Sequence, residues 1–189
     1  MSTQPIPRLT VDQYLEIERK AEFKSEFIDG EVFTMSAAPL NHALIATALL
    51  ARLFEQLRKS TCTVAGSDLR LYCERARILT YPDAVVFCEP ARFKDKEQDT
   101  LVDATVIVEV LSPSTQNYDR GEKFRAYRNL PSFTEYLLIE QKEVAAEHHV
   151  RQPDGSWLMR EWSKPDTILD LKSIDCSLRL GDPYLKARF

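Results

Sequence analysis

The spacing of apolar residues predicts three helices along the chain. The first runs from Thr10 to Glu22, and Thr10 has the spacing of a capping box with the residue three positions later. The second, from about Asn41 to Lys59, has an apolar stripe on one side and charged residues on the other. The third runs from Asp119 to Leu130 and is closed by Pro131.

Strands are predicted where apolar and β-branched residues alternate or run together between turn residues. The segment from Phe23 to Ser36 is predicted to form a hairpin, because Asp29-Gly30 supplies a turn with positive φ. The other predicted strands, in chain order, are Cys62–Ala65, Leu69–Cys73, Ile78–Cys88 with an interruption at Pro82, Thr105–Leu111, Tyr136–Glu140, Val144–Val150 and Trp157–Trp162.

Two stretches lack such a pattern. The charged stretch from Arg92 to Asp103 is predicted to be a surface loop, and the region around Asp170 is predicted to be an irregular tail. The chain shows no internal repeat and no linker that would divide it. The order of elements therefore predicts one α/β (α+β) domain over residues 1–189, with a core from about 10 to 180 and a central mixed β-sheet flanked by helices.

The composition excludes several classes of protein. Of the 189 residues, 44% are hydrophobic, and the net charge of −4 excludes a basic coat over the whole surface, the usual mark of a non-specific nucleic-acid binder. Neither a membrane-spanning run of about 18 apolar residues nor a secretory signal is found, so we expect no membrane segment. The cysteines form no CxxC motif and are expected to be free thiols in a reduced, cytoplasmic protein: Cys62, Cys73, Cys88 and Cys176.

Glu109 interrupts the most apolar segment of the chain, Val106 to Leu111. A near-continuous β-branched run is typical of a central strand covered on both faces. An unpaired ionised carboxylate inside such a strand would cost several kcal/mol, so Glu109 must be protonated, paired or bound to a metal. The alternative is a carboxylate near the strand end that reaches solvent.

Asp83 and Lys123 are also charged residues in apolar surroundings. Asp83 opens the strand that follows Pro82, where it could also be a simple turn carboxylate. Lys123 lies on the same helix face as Tyr127 and Leu130, and an ammonium on that face needs a counter-charge or must extend to solvent. The alternative for Lys123 is an exposed pair with Asp119, one helical turn earlier.

Two carboxylates and a lysine from neighbouring elements form a recognised set of catalytic groups. Carboxylate oxygens, a main-chain carbonyl and water are the ligands that Mg²⁺ and Mn²⁺ prefer. Such an ion polarises a phosphodiester and activates a bound water, and a nearby lysine orients that water or stabilises the developing charge.

With these residues the sequence resembles the PD-(D/E)xK, or restriction-endonuclease-like, superfamily, and within it the bacterial Uma-type family of predicted endonucleases. The resemblance extends from about Thr10 to Leu180. In chain order, the residues that carry it are Glu26-Phe27-Ile28-Asp29-Gly30-Glu31, Asn41-His42, Pro82-Asp83, Val108-Glu109-Val110-Leu111-Ser112-Pro113-Ser114, Asp119, Lys123, Tyr127 and Glu135-Tyr136. It implies a restriction-endonuclease-like core.

The resemblance also implies roles for individual residues. Asp83 and Glu109 would be the metal ligands, and the Val110 carbonyl would be a third. The superfamily places its lysine two residues after the second acid, where this chain has Leu111, so Lys123 would supply the amine from the following helix. Glu26 resembles the accessory acid that many relatives contribute from the N-terminal region.

Other candidates have weaker support. The literal (D/E)xK string occurs four times where about one or two matches are expected by chance, so the string alone means little, and only Glu140-Gln141-Lys142 ends an apolar strand. His42, near a helix start, is more typical of a capping or packing residue than of a ligand. His148 and His149 are adjacent on a strand and point to opposite faces.

We therefore predict a Mg²⁺-dependent (or Mn²⁺-dependent) endonuclease that hydrolyses DNA, with Asp83, Glu109, Lys123 and Glu26 as its catalytic residues. The alternative is a catalytically inactive module, derived from a nuclease, that binds nucleic acid or a protein partner. A homodimer is expected because symmetric assembly is common among soluble proteins. Six arginines could form a local basic face: Arg70, Arg75, Arg77, Arg120, Arg125 and Arg128.

Overall fold

The computed structural model describes residues 8–189, so the N-terminal residues tested for a secretory signal lie largely outside it. Its helices are α1 (Val11–Glu18), α2 (Leu40–Leu57), α3 (Gln116–Tyr118) and α4 (Phe124–Tyr127), with a π-helical turn at Asp119–Lys123 joining the last two. The strands are β1 (Ser25–Ile28), β2 (Glu31–Thr34), β3 (Cys62–Gly66), β4 (Arg70–Cys73), β5 (Ile78–Thr80), β6 (Ala84–Cys88), β7 (Thr100–Leu101), β8 (Val106–Leu111), β9 (Glu135–Glu140), β10 (Ala146–Arg151), β11 (Trp157–Trp162), β12 (Ile168–Leu171) and β13 (Cys176–Arg179).

The start of α1 follows the capping pattern of the sequence. The Thr10 side chain accepts from the Gln13 main-chain N–H, and the Gln13 side chain accepts from that of Thr10. The helix ends four residues before its predicted end, at Glu18. That side chain turns inward and accepts hydrogen bonds from the main chain and hydroxyl of Ser25, which fixes the start of β1.

The main sheet has six strands in the order β11-β10-β9-β8-β6-β3. β8 and β9 are parallel and the other neighbours are antiparallel, which confirms the predicted mixed sheet. All six residues of β8 are buried, as expected for a central strand. One face packs against α2 through Ile45, Leu49 and Leu53, and the other packs against a second cluster that includes Tyr127. The molecule is therefore an α/β domain with few helices.

A second sheet has five strands in the order β2-β1-β5-β4-β7. The predicted strand Ile78–Cys88 is divided between the two sheets, because β5 belongs to the second sheet and β6 to the first. The chain crosses between them at Pro82, which cannot donate a ladder hydrogen bond. Asp83 consequently lies at the junction of the two sheets, directly before β6.

The two segments predicted to be irregular both contain strands. The predicted loop Arg92 to Asp103 includes β7, which pairs in parallel with β4. The predicted tail includes β12 and β13, which form an antiparallel pair. Both predictions were wrong because short strands of two to four residues give little periodicity, and the partner of β7 lies 30 positions earlier in the chain.

The expectation of four free thiols was wrong for two of them. Cys62 and Cys88 are opposite each other in the β3–β6 register and form a disulfide, whereas Cys73 and Cys176 are free and buried. The cytoplasmic prediction loses that support and stays a prediction. Among the described residues, no helix is long and apolar enough to cross a membrane.

Candidate active site

Glu109 lies in the middle of β8 with its carboxylate enclosed by the protein. Its side chain is 4% exposed. Oε1 accepts hydrogen bonds from Lys123 Nζ at 3.2 Å and from the Tyr127 hydroxyl at 2.9 Å, and Oε2 lies 3.4 Å from the Asp83 main-chain N–H. The interpretation of Glu109 as a solvent-reaching carboxylate is therefore wrong, and the carboxylate is paired.

The ammonium of Lys123 is surrounded by three carboxylates. Nζ lies 3.2 Å from Glu109 Oε1, 3.4 Å from Glu26 Oε1 and 3.0 Å from Asp119 Oδ1. The i,i+4 pair with Asp119 does form, but both side chains are buried, so the alternative of an exposed pair is wrong. The helix face shared by Lys123, Tyr127 and Leu130 is buried as the pattern predicted.

The π-helical turn Asp119–Lys123 explains how two charged residues of one helix reach the same buried point. A π-turn has a wider hydrogen-bonded ring than an α-helix, and such turns are frequent at functional sites. The Asp119 main-chain carbonyl accepts from the Tyr136 hydroxyl of β9 at 3.0 Å, which anchors the turn to the main sheet. Lys123 is thereby directed at Glu109 rather than at solvent.

Asp83 lies at the more accessible side of the cluster, with a side chain 16% exposed. Its Oδ2 accepts a hydrogen bond from the Val110 main-chain N–H at 2.8 Å, so the residue after Glu109 holds the second acid. His42 Nε2, from the first turn of α2, lies 3.2 Å from the same oxygen. Asp83 and Glu109 thus meet where the start of β6 lies beside the middle of β8.

Glu26 reaches the cluster from β1 in the second sheet. It is buried, and its cross-strand partner in β2 is Phe33. Its Oε1 meets Lys123, but that oxygen and Asp119 Oδ1 have no hydrogen bond of acceptable geometry among the described residues. The structure therefore brings all four predicted side chains together: Glu26, Asp83, Glu109 and Lys123.

The charges at this site do not balance. The cluster contains four carboxylates: those of Glu26, Glu109 and Asp119 contact the Lys123 ammonium, and that of Asp83 contacts His42. Burial above all, together with the neighbouring carboxylates, raises the pKa of Glu109 to about 8 against the opposing effect of Lys123. Burial alone would lower the pKa of Lys123, but the carboxylates outweigh it and hold the ammonium charged.

The donor set fits a hard divalent cation. Mg²⁺ and Mn²⁺ bind carboxylate and carbonyl oxygens, and Mg²⁺ usually keeps several waters and takes one or two carboxylates. Asp83 and Glu109 supply such carboxylates beside the Val110 main chain, and the carboxylates of Glu26 and Asp119, which contact Lys123, add to the excess of negative charge. Within residues 8–189, no three His, Cys, Asp or Glu side chains form a complete metal-binding group, so water would complete the shell.

Sequence reasoning gave no site role to three contributors to the cluster. Asp119 was considered only as a member of an exposed pair with Lys123. His42 was interpreted as a capping or packing residue, yet its ring is largely buried against Asp83. Burial lowers the pKa of His42, but Asp83 above all, with Asp119 and the Val110 carbonyl, raises it by more. Tyr127 is the third, because an aromatic on an apolar helix face is usually core. Its place on the Lys123 face was the available signal.

The competing string Glu140-Gln141-Lys142 lies outside the cluster. Glu140 accepts a hydrogen bond from Arg120 at 2.8 Å, and Lys142 is exposed. This placement supports the ranking of Glu109 above Glu140. Leu111, at the position where the superfamily places its lysine, is buried in the core.

Three of the six arginines proposed to form a basic face make ion pairs within the chain. Arg70 is buried and pairs with Asp99, and Arg120 pairs with Glu140 and Glu147. Arg77 pairs with an exposed aspartate of the β1–β2 turn. Half of the six arginines are thus engaged within the chain.

The mixed sheet, with acids at the start of one strand and inside the next and a lysine from the following helix, defines a restriction-endonuclease-like protein. A family model described as "Uma2: Putative restriction endonuclease" matches residues 11–180. The chain therefore belongs to the Uma2 family, and family and fold together indicate a nuclease.

The chain is also similar to two bacterial sequences and to one solved structure. The "Uncharacterized protein slr1290" of Synechocystis sp. is 35% identical over 180 residues, 95% of this chain and 93% of that protein. The "Uncharacterized protein sll1609" of the same organism is 35% identical over 153 residues, 81% of this chain and 86% of that protein. A crystal structure from Anabaena variabilis, described as a "putative nuclease belonging to DUF820", matches with a TM-score of 0.74 over 93% of this chain and 97% of that one. At 18% identity it shows the fold.

Proposed function

We propose that this protein is a metal-dependent endonuclease that hydrolyses phosphodiester bonds in DNA. The observation that carries the proposal is the buried cluster in which Lys123 contacts Glu109 at 3.2 Å, while Asp83 lies beside both Glu109 and the Val110 main chain. Burying more carboxylates than cations costs free energy unless a bound cation neutralises them, so such an excess is typical of a functional site. Membership in the Uma2 family supports the same chemistry.

Asp83, Glu109 and the Val110 carbonyl would hold Mg²⁺ or Mn²⁺. An ion bound there supplies an activated water and polarises the phosphodiester. The protein holds the ligands in place: the Val110 N–H fixes Asp83, and the Tyr127 hydroxyl fixes Glu109. Both donors are buried, so the carboxylates keep their orientation when substrate excludes water.

Lys123 would act on the water and the reacting phosphate. Its ammonium is charged and held by three carboxylates, so it can donate a hydrogen bond to an attacking oxygen or stabilise developing negative charge. Glu26 would hold a second ion or a water from the opposite side, which agrees with its oxygen that lacks a hydrogen bond.

The test is a DNA cleavage assay with and without Mg²⁺ and Mn²⁺. Asp83→Asn and Lys123→Met should each reduce the metal-dependent rate by at least about a hundredfold. Lys142→Met, which removes the lysine of the competing string, should leave the rate unchanged. Circular dichroism at the assay temperature checks that each variant is folded.

Equal rates in all four proteins would overturn the assignment of the site. No cleavage by the unaltered protein, together with no calorimetric binding of either ion, would favour the inactive module that binds nucleic acid or a protein partner.

A homodimer is the proposed assembly. β2 is an edge strand with all four residues exposed, among them Val32 and Phe33, and unprotected edges favour pairing with another strand. A second copy pairing edge to edge about a two-fold axis would satisfy these backbone groups. Light scattering should give twice the 21.8 kDa chain mass, and Val32→Lys should reduce it to the monomer mass. A monomer mass for the unaltered protein would refute the dimer.

A further inference from the structure

The segment 185–189 is tied to the start of α2, beside the accessible side of the buried cluster. The Asn41 side-chain amide donates a hydrogen bond to the Arg188 carbonyl at 2.7 Å, and the Arg188 main-chain N–H donates to the Asn41 side-chain oxygen at 3.0 Å. His42, the next residue of α2, lies 3.2 Å from Asp83. The residue that holds the segment is therefore the immediate neighbour of the residue that contacts Asp83.

Apolar contacts hold the same segment against the domain. Ala187 packs on the core cluster that includes the buried face of α2, and its main-chain N–H donates to the Tyr184 carbonyl at 2.9 Å. The Phe189 ring lies 5.8 Å from the ring of the buried Tyr184. The main chain is thus fixed, although every side chain of the segment except Ala187 is exposed. These exposed side chains are therefore presented at a defined place beside the cluster.

Two of the exposed side chains carry positive charges that the protein does not neutralise. Lys186 and Arg188 form no ion pair among the residues that the structure describes, 8–189. The acidic residue closest to them along the chain, Asp182, is paired with Arg52 at 3.2 Å. By contrast, Arg120, one of the arginines predicted to form a basic face, is paired with two glutamates. The segment therefore presents two cations that are available to an anionic partner.

The position of these cations matches the path of a nucleic-acid strand into the cluster. The Asp83 side chain is 16% exposed, against 4–11% for the other three predicted site residues, so substrate approaches from the Asp83 side. The chain has a net charge of −4, so its overall field does not attract DNA, and binding requires local cations. Each strand of DNA carries a phosphate every 3.4 Å or about that distance along the helix axis. A strand with one phosphate at Asp83 therefore has neighbouring phosphates beside the segment 185–189.

We propose that the segment 185–189 binds the DNA backbone next to the cleaved bond, through Lys186 and Arg188, and that Asn41 is the residue that positions the segment. Contacts from lysine and arginine to phosphate fix a protein on nucleic acid without reading the base sequence. The inference rests on the proposed function, because it concerns the same substrate. It goes beyond that function by assigning the surface that holds the substrate and by giving Asn41 a role.

The direct test is the binding of a fluorescein-labelled DNA duplex, measured by fluorescence anisotropy in EDTA at several KCl concentrations. Lys186→Gln and Arg188→Gln should each weaken binding several-fold and lower the slope of log Kd against log salt by about 1. Arg188→Gln keeps both bonds to Asn41, because they use the Arg188 main chain. The matched control is Lys59→Gln, an exposed lysine beyond the far end of the 18-residue helix α2, about 27 Å away, which should change neither quantity.

Asn41→Ala tests the positioning role, because it removes both bonds to the segment and keeps both cations. It should also lower the salt slope, and combining it with Arg188→Gln should weaken binding by less than the two separate effects together. In the cleavage assay with Mg²⁺ or Mn²⁺, Arg188→Gln should raise KM and leave kcat within about twofold, as expected for a group that binds substrate and transition state equally.

The outcomes separate this inference from the proposed function. If the unaltered protein cleaves DNA while Lys186→Gln and Arg188→Gln keep its affinity, salt slope and KM, the segment does not bind the substrate and the proposed function stands. A loss in Lys59→Gln as large as in Arg188→Gln would also overturn the inference, because binding would then have no preferred surface. Neither binding nor cleavage of DNA by the unaltered protein would overturn the proposed function and this inference with it.

Discussion

The ammonium of Lys123 lies 3.2 Å from Glu109 Oε1, although the two residues are 14 positions apart and belong to a helix and a strand. A lysine two residues after the acid would reach the same point from the same strand face, because side chains alternate along a strand. In this chain the π-helical turn provides an equivalent position for the amine. Amine and acid are therefore paired by the fold rather than by a local motif.

Lys123→Met should strongly destabilise the protein. The substitution leaves Glu26, Glu109 and Asp119 buried without their cation, and breaking a buried ion pair in this way costs about 3–5 kcal/mol. Urea denaturation at pH 8 should show this loss. Lys142→Met, at an exposed position, should change the free energy of unfolding by less than about 0.5 kcal/mol.

The loss in free energy of unfolding caused by Lys123→Met should also grow as pH rises. Burial already raises the pKa of Glu109 to about 8, and without the ammonium the carboxylates would hold their protons to higher pH still. A folded state that binds more protons than the unfolded state loses stability as pH rises. Denaturation at pH 5.5 and pH 8.5 checks the sign, and a deficit that is larger at pH 5.5 would contradict it.

Tyr127→Phe should cost roughly 1–3 kcal/mol, because it removes the donor to Glu109 Oε1 and the contact with the Thr80 hydroxyl. The matched control is Tyr72→Phe, since this buried ring lies in a separate core cluster and its hydroxyl makes no side-chain hydrogen bond among the described residues. That variant should change the free energy of unfolding by less than about 0.5 kcal/mol. Equal losses in the two variants would show that the Tyr127 hydroxyl has no special role.

Much of the site was predictable because its charged residues interrupt apolar patterns. Glu109 stands in a β-branched run, Asp83 opens an apolar strand, and Lys123 lies on a buried helix face. Each would be expensive to bury alone, so the sequence itself indicates that they need partners. The central mixed sheet was predictable for a similar reason, since its strands are long enough to show their pattern.

The features that the sequence did not predict depend on contacts between distant parts of the chain. His42 is a single polar residue at a helix start, and only the approach of α2 to Asp83 gives it a role. Asp119 has the spacing of an ordinary exposed pair with Lys123, and only the packing of the π-helical turn against β9 buries it. The strand β7 has two residues and becomes a strand only by pairing with β4.

Asp99 connects β7 to the N-terminal helix and gives a prediction that is independent of the active site. Its carboxylate accepts hydrogen bonds from Arg19 at 2.8 and 2.9 Å and pairs with the buried Arg70. The hydrogen bonds from Arg19, above all, lower the pKa of Asp99 from 3.8 to about 2. A lowered pKa in the folded state means that the carboxylate stabilises the protein above pH 4 and that this stabilisation fades as pH falls toward 2.

Asp99→Asn should therefore reduce the free energy of unfolding at pH 7 by about 1–2 kcal/mol, a value discounted for the partial exposure of the side chain. The difference from the unaltered protein should shrink between pH 4 and pH 2, because Asp99 itself takes up a proton there. Asp170→Asn, at an exposed position of β12, is the matched control and should leave the free energy of unfolding at pH 7 nearly unchanged. Urea denaturation of the three proteins at pH 7, 4 and 3 measures these differences. A difference for Asp99→Asn that stays constant over this range would contradict the prediction, because it would mean that the negative charge of Asp99 does not account for the stabilisation.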